Sequence, residues 1–192
     1  YHGRLLFLGG LFAWHFTKPV LLLDHFHILA IVLMTIAVGC AWLASVAVND
    51  YFDTRIDILT NRGRPLISGT IDKSTFVTFG WLFFFASILF SALSSFSAAL
   101  LLILYQTIAW IYSAPPLRLK RIPGIATLLA SAAGLIILLI GFLLVSPGND
   151  FSHLPPSLLL FLFLAYAIAL PLKDFKDIEG DKQDHVITFP II

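Results

Sequence analysis

Residues 27–57 read HILAIVLMTIAVGCAWLASVAVNDYFDTRID. From His27 to Val48 there is no Asp, Glu, Lys or Arg, and the run is long enough to cross a hydrocarbon layer that takes about 20 helical residues. It then breaks into Asn49, Asp50, Asp53 and Asp57. At 100° per residue the three aspartates fall within about 60° of one another, so a continuing helix carries them as a single carboxylate stripe. The segment predicts a transmembrane helix whose last turns leave the apolar layer with acids on one face.

Working outward, further apolar runs lie near 5–23, 76–95, 97–113, 125–145 and 157–172. Together with the first they predict an all-α fold, a polytopic transmembrane bundle with six helices present. No β alternation of useful length appears, and open strands are excluded from lipid by their unpaired backbone groups. Composition agrees: of 192 residues 59% are hydrophobic and 12% charged, more apolar surface than a domain of this size buries in water. A net charge of +1 without a basic stripe argues against a nucleic-acid partner. The single cysteine, Cys40, excludes an internal disulfide and reads as a small buried hydrophobe. The start at Tyr1 and the end at Ile192 read as a piece of a longer chain.

Polar segments follow the second, fourth and sixth runs, at 49–75, 114–124 and 173–188. Arg4, Arg55, Arg62, Arg64, Lys73, Arg118, Lys120, Arg121, Lys173, Lys176 and Lys182 fall on their side, leaving Lys18 on the other. That bias predicts a multi-pass protein with these loops on the cytoplasmic side. It accounts for the cations but not for the acids that share this face.

Those acids form a repeat. Asp50, Asp53 and Asp57 recur 124 residues later as Asp174, Asp177 and Asp181 in KDFKDIEGD, again with spacing DxxDxxxD. One such stripe reads equally well as a solvated helix end, but a matched pair at the edge of a low-dielectric layer calls for a neutralising cation. Mg²⁺ suits it, since that ion takes one or two carboxylates and completes its shell with water and phosphate oxygens. Arg62 and Arg64 in NRGRPLISGT, and Arg118, Lys120 and Arg121 in YSAPPLRLKR, supply positive charge on the same side. Alone, such clusters are ordinary interfacial anchors.

In order and spacing, NDYFDTRID, RPLISG, YSAPPLRLKR and KDFKDIEGD resemble the UbiA-type intramembrane prenyltransferases, from about the second helix to the end of the chain. The resemblance implies a bundle around a central cavity, about three helices beyond those present, one transmembrane domain over 1–192 with its C-terminal part absent, and Mg²⁺-dependent transfer of a prenyl chain. The donor is then a polyprenyl diphosphate, the acceptor an aromatic or other lipophilic molecule, and the setting the lipid bilayer. By position, Asp50, Asp53, Asp57, Asp174, Asp177 and Asp181 hold the metals, with Asp50, Asp53, Asp177 and Asp181 central to catalysis. Asn49, Arg62, Arg64, Lys120, Arg121, Lys173 and Tyr112 contact the diphosphate. Gly63 departs from the threonine that many members place between the two arginines, which touches loop detail rather than the metal site.

The chemistry so implied is stabilisation of a departing diphosphate, ionisation to an allylic carbocation, and attack by the acceptor. Aromatic faces can steady that cation, and Phe83, Phe84 and Phe85 are candidates that serve equally as lipid-facing or helix-packing residues. Gly39, Ala41, Ala44 and Gly134 allow close helix approach. The six histidines lie outside every motif and read as interface or loop residues. A cation transporter with paired carboxylate sites, a phosphotransferase of lipid alcohols and an inactive relative of the enzymes are the competing readings. The first expects ionisable residues at mid-membrane, and the second a glycine-spaced acidic motif that this sequence lacks.

Overall fold

The computed structural model describes residues 2–17, 25–147 and 150–174. Its helices are α1 (His2–Thr17), α2 (His25–Thr60), a single turn α3 (Pro65–Ser68), α4 (Lys73–Ser94), α5 (Phe96–Ser113), α6 (Pro123–Val145) and α7 (Pro156–Asp174), with a 3₁₀ turn at Leu119–Arg121. All described secondary structure is helical, and six long helices stand where six apolar runs were expected. Four of them, in α2, α4, α5 and α6, are long and apolar enough to cross a membrane.

Local chemistry sets the boundaries. Asp72 caps α4 by accepting from the Thr75 N–H at 3.0 Å, which holds its carboxyl below the usual range. Ser95 ends α4 in an extended conformation and caps α5 by accepting from the Ala98 N–H, so one residue turns the helical hairpin. Pro123 opens α6, where a missing N–H costs nothing. Gly69 terminates α3 at φ 72°, in the left-handed region that favours glycine.

At 36 residues α2 extends ~54 Å, against a hydrocarbon layer of ~30 Å. Its last twelve residues, Asn49–Thr60, therefore carry the first acidic stripe on unbroken helix beyond the apolar run. The core lies where α2, α5 and α6 meet, with Met34, Ala37, Val38, Ala41, Leu102, Ile137 and Ile140 buried. Large apolar side chains such as Phe7, Phe26, Leu93 and Phe161 point outward, as expected of a bundle solvated by lipid. Polar groups bridge helices instead: half-buried Ser94 Oγ donates to Ala30 O at 2.8 Å, and buried Gln106 Nε2 to Ser87 Oγ at 3.1 Å.

The closest helix contact was not among the expected small-residue positions. Gly9 on α1 faces Leu138 and Phe142, and Gly141 on α6 faces the Leu6 carbonyl so closely that a methyl group on either glycine would overlap backbone. Gly39, by contrast, has open space around it and supports no close approach, while Ala41 and Ala44 are buried and Gly134 abuts the Tyr166 ring. The contacts of Leu6 with Gly141 and of Gly10 with Val145 also show that α1 runs parallel to α6. Arg4 consequently lies in the half of α1 that is nearer the Pro123 end of α6, two residues from His2, whose ring meets Tyr105.

Gly141→Val is expected to cost at least ~3 kcal/mol by overpacking against backbone that has no free rotamer to yield. Gly39→Ala should stay within ~0.5 kcal/mol of the parent. Thermal unfolding in detergent, followed by monodispersity on gel filtration, compares the two.

Candidate functional site

The end of α2 gathers charge from two loops. Asp50 and Asp57 are buried and share Arg64, which forms an ion pair with Asp50 and places Nε 3.3 Å from Asp57 Oδ1. Arg64 can reach both because the chain turns back after α2: Arg64 N–H donates to Asn61 O at 3.0 Å, and Pro65 then starts α3. Asn61 Nδ2 adds a hydrogen bond of 3.2 Å to Asp57 Oδ1.

Asp53 is served from the other loop. Arg118 Nη2 donates to Asp53 Oδ1 at 2.6 Å and to Phe52 O at 3.0 Å, and Lys120 Nζ contacts Asp53 Oδ2. Lys120 Nζ also donates to Asn49 Oδ1 at 2.8 Å, which accepts from Ser113 Oγ at 3.1 Å. Arg118 takes φ 42° to achieve this, a left-handed conformation uncommon for a residue with a side chain. Burial lowers the Lys120 pKa, while its contact with Asp53 works in the opposite direction.

Three carboxylates thus meet three cations, and the first stripe is neutral without a metal. The expectation of a divalent ion concerned both stripes together, and the side chains of the second lie outside the described residues. Among the described residues no three acidic, histidine or cysteine side chains converge as a metal cage. The stripe is nonetheless all-oxygen, and Asp57 Oδ2 is buried with no hydrogen-bond partner among the described residues. Such a donor set fits Mg²⁺, which asks the protein for one or two carboxylates rather than a full shell.

A cavity of about 370 Å³ opens beside these groups. Asn49, Asp50 and Arg64 lie at its charged end, and Ser45, Tyr105, Tyr112, Ile108, Leu129 and Ala133 line the remainder. The Tyr105 hydroxyl lies 2.9 Å from His2 Nε2 and 3.3 Å from Ser45 Oγ. His2 is therefore half-buried against Tyr105, not the interface or loop group expected of all six histidines.

Of the sequence-derived candidates, Asn49, Asp50, Asp53, Asp57, Arg64 and Lys120 come together, and Tyr112 joins the cavity wall. Arg62 is exposed and turns back to donate to Ile58 O at 3.2 Å, and Arg121 is exposed beyond the turn that positions Lys120. Neither meets the stripe in this structure. Lys173 and Asp174 close α7 without described side chains, and Asp177 and Asp181 lie outside the described residues. Arg118 is the residue missed. Its only sequence signal is membership of a basic cluster, and its role depends on a backbone conformation that composition does not announce. Phe84 is found on the far side of α2 from the stripe and Phe85 is 62% exposed, so neither faces this cavity.

Arg118→Ala should destabilise the protein by about 3 kcal/mol, because it strips a largely buried carboxylate of a partner. Arg62→Ala and Arg121→Ala should each change stability by less than ~0.5 kcal/mol. Melting temperatures of the three variants in one detergent test the contrast.

A sequence model of the UbiA prenyltransferase family matches residues 6–192. Digeranylgeranylglyceryl phosphate synthase of Thermococcus gammatolerans is 28% identical over 165 residues, covering 86% of this chain and 56% of that protein. Chloroplastic chlorophyll synthase of Oryza sativa subsp. japonica is 28% identical over 173 residues, covering 84% of this chain and 44% of that protein. Among solved structures, a UbiA homologue from Archaeoglobus fulgidus bound to GPP and Mg²⁺ superposes with a TM-score of 0.76 at 22% identity, over 99% of this chain and 65% of that one. This likeness shows the same fold. The chain spans 55–63% of the length of the first three curated synthases it matches.

Proposed function

The chain belongs to the UbiA prenyltransferase family, and from that premise we propose that the protein carrying it transfers a prenyl chain from a polyprenyl diphosphate to a lipophilic acceptor. The observation that carries this reading is the neutral cluster of Asp50, Asp53 and Asp57 with Arg64, Arg118 and Lys120 at the mouth of an otherwise apolar cavity. An anionic head at that mouth and a hydrocarbon tail in the cavity or the surrounding lipid satisfy both environments. The GPP and Mg²⁺ in the A. fulgidus homologue support the same donor chemistry.

Asp50, Asp53 and Asp57 would hold Mg²⁺ from α2, together with Asp174, Asp177 and Asp181 of the second motif, and Asn49 would contact the diphosphate. The metal supplies neutralisation of charge developing on the leaving diphosphate. Arg64 and Lys120, paired with the acids, would contact phosphate oxygens, with Arg62 and Arg121 from the loops and Lys173 from the end of α7 as further contacts. Arg118 holds Asp53 and fixes the loop that presents Lys120. Dispersal of charge on the diphosphate lets the allylic C–O bond ionise, and the apolar walls keep water from capturing the cation. Tyr105 and Tyr112 are the aromatic faces described at this cavity, each able to steady positive charge by about 0.5–2 kcal/mol.

The helix ends and loops holding Arg55, Arg62, Arg64, Lys73, Arg118, Lys120 and Arg121 gather at one end of the bundle, which the positive-inside rule assigns to the cytoplasmic side. For the acceptor, the relatives named for digeranylgeranylglyceryl phosphate make a prenylated glyceryl phosphate the first compound to test.

The protein carrying this chain, purified in detergent, should release inorganic diphosphate from a polyprenyl diphosphate only with Mg²⁺ and an acceptor. Asp53→Ala and Asp177→Ala should each lower that release at least ~100-fold, the scale seen on removing a group that stabilises transition-state charge. Parent-like rates in both variants would defeat the assignment.

A further inference from the structure

A second cavity is larger than the one beside the acids. It measures about 510 Å³ and lies between α2, α4 and α5, walled by Phe52, Phe76, Trp81, Phe84 and Trp110. On α2 its lining positions Ala44, Val48 and Tyr51 sit about 160° around the helix from the mean direction of Asp50, Asp53 and Asp57. A diphosphate held by those acids cannot send its tail into this cavity without crossing the body of α2.

Its rim is basic. Lys73 Nζ lies over the Tyr51 ring, 4.8 Å from the centroid. Arg55 follows Tyr51 by one helical turn on the same face, is exposed, and makes no ion pair among the described residues. The neighbouring Asp72 has its carboxylate engaged by the Thr75 N–H. The Gln106 amide is likewise directed away, donating to Ser87. What remains is an aromatic, uncharged chamber under two cations at the acidic end of the bundle, where lipid headgroups lie.

We propose that this cavity binds one anionic, phosphate-headed membrane lipid, its hydrocarbon chain between α2, α4 and α5 and its phosphate on Lys73 and Arg55. The chain restores the dispersion contacts that an empty chamber forfeits. The two cations set the preference for a negative headgroup, each favouring it by about fivefold at a membrane surface. Because Tyr51 and Phe52 share a helical turn with Asp50 and Asp53, a lipid seated there stiffens the element that carries the acids from its opposite face.

The test uses the protein carrying this chain in nanodiscs of phosphatidylcholine with one-tenth phosphatidylglycerol, released for native mass spectrometry. The parent should retain one phosphatidylglycerol in marked preference to phosphatidylcholine. Arg55→Gln with Lys73→Gln should lower that preference about 30-fold, the product of two surface cations, and Thr107→Trp, which fills the chamber and leaves the rim intact, should abolish retention of either lipid. A photoreactive acyl chain should label peptides of α2, α4 and α5. Equal retention of both lipids by the parent overturns the proposal, as does unchanged preference in the Arg55/Lys73 variant. Displacement of phosphatidylglycerol by a prenyl diphosphate in parent and Asp53→Ala alike would give the chamber to the substrate instead. Labelling that fails because another segment or a second copy covers the chamber would overturn it too. If Thr107→Trp does not fold, the rim variant decides alone.

Discussion

Ions at the edge of hydrocarbon must be paired, and the end of α2 is organised around that demand. An unpaired carboxylate there costs several kcal/mol, whereas a paired one roughly breaks even. Asp50 and Asp57 draw Arg64 back over the helix, and Asp53 draws Arg118 and Lys120 from the α5–α6 connection. Both loops take their shapes from these contacts. The left-handed Arg118 is the plainest instance, since its backbone conformation is held by hydrogen bonds from its own side chain to Asp53 and Phe52.

The same arrangement prepares the site for an exchange of partners. In the proposed reaction, the carboxylates that pair with cations here would hold the metal, and those cations would contact the diphosphate. The net charge of the cluster is zero before binding, and a positive metal and a negative diphosphate would offset much of each other's charge when they arrive together. Neither ligand alone offers that balance, which gives a physical reason for donor and Mg²⁺ to bind as a unit.

A single helix also divides two environments. One face of α2 carries Asn49 and the three aspartates toward the smaller cavity, and the other carries Ala44, Val48 and Tyr51 toward the larger aromatic one. Length is what makes both possible. A helix stopping at Val48 would leave the acids on a loop, without the 3.6-residue period that sorts acid from aromatic.

The succession of apolar runs, each about as long as a membrane is thick, determined the helical class by itself, because lipid leaves a backbone no other way to satisfy its hydrogen bonds. The spacing of Asp50, Asp53 and Asp57 likewise fixed their common face, since helical geometry depends only on intervals along the chain. Tertiary structure alone decided which cation serves which acid: Arg64 and not Arg62, Arg118 and Lys120 and not Arg121. It also decided that Gly9 and Gly141, rather than Gly39, admit a neighbouring helix, and that His2 packs on Tyr105. These choices depend on how helices cross and loops fold back, and neither is written in the local period of the sequence, because each is set by contacts between residues tens of positions apart.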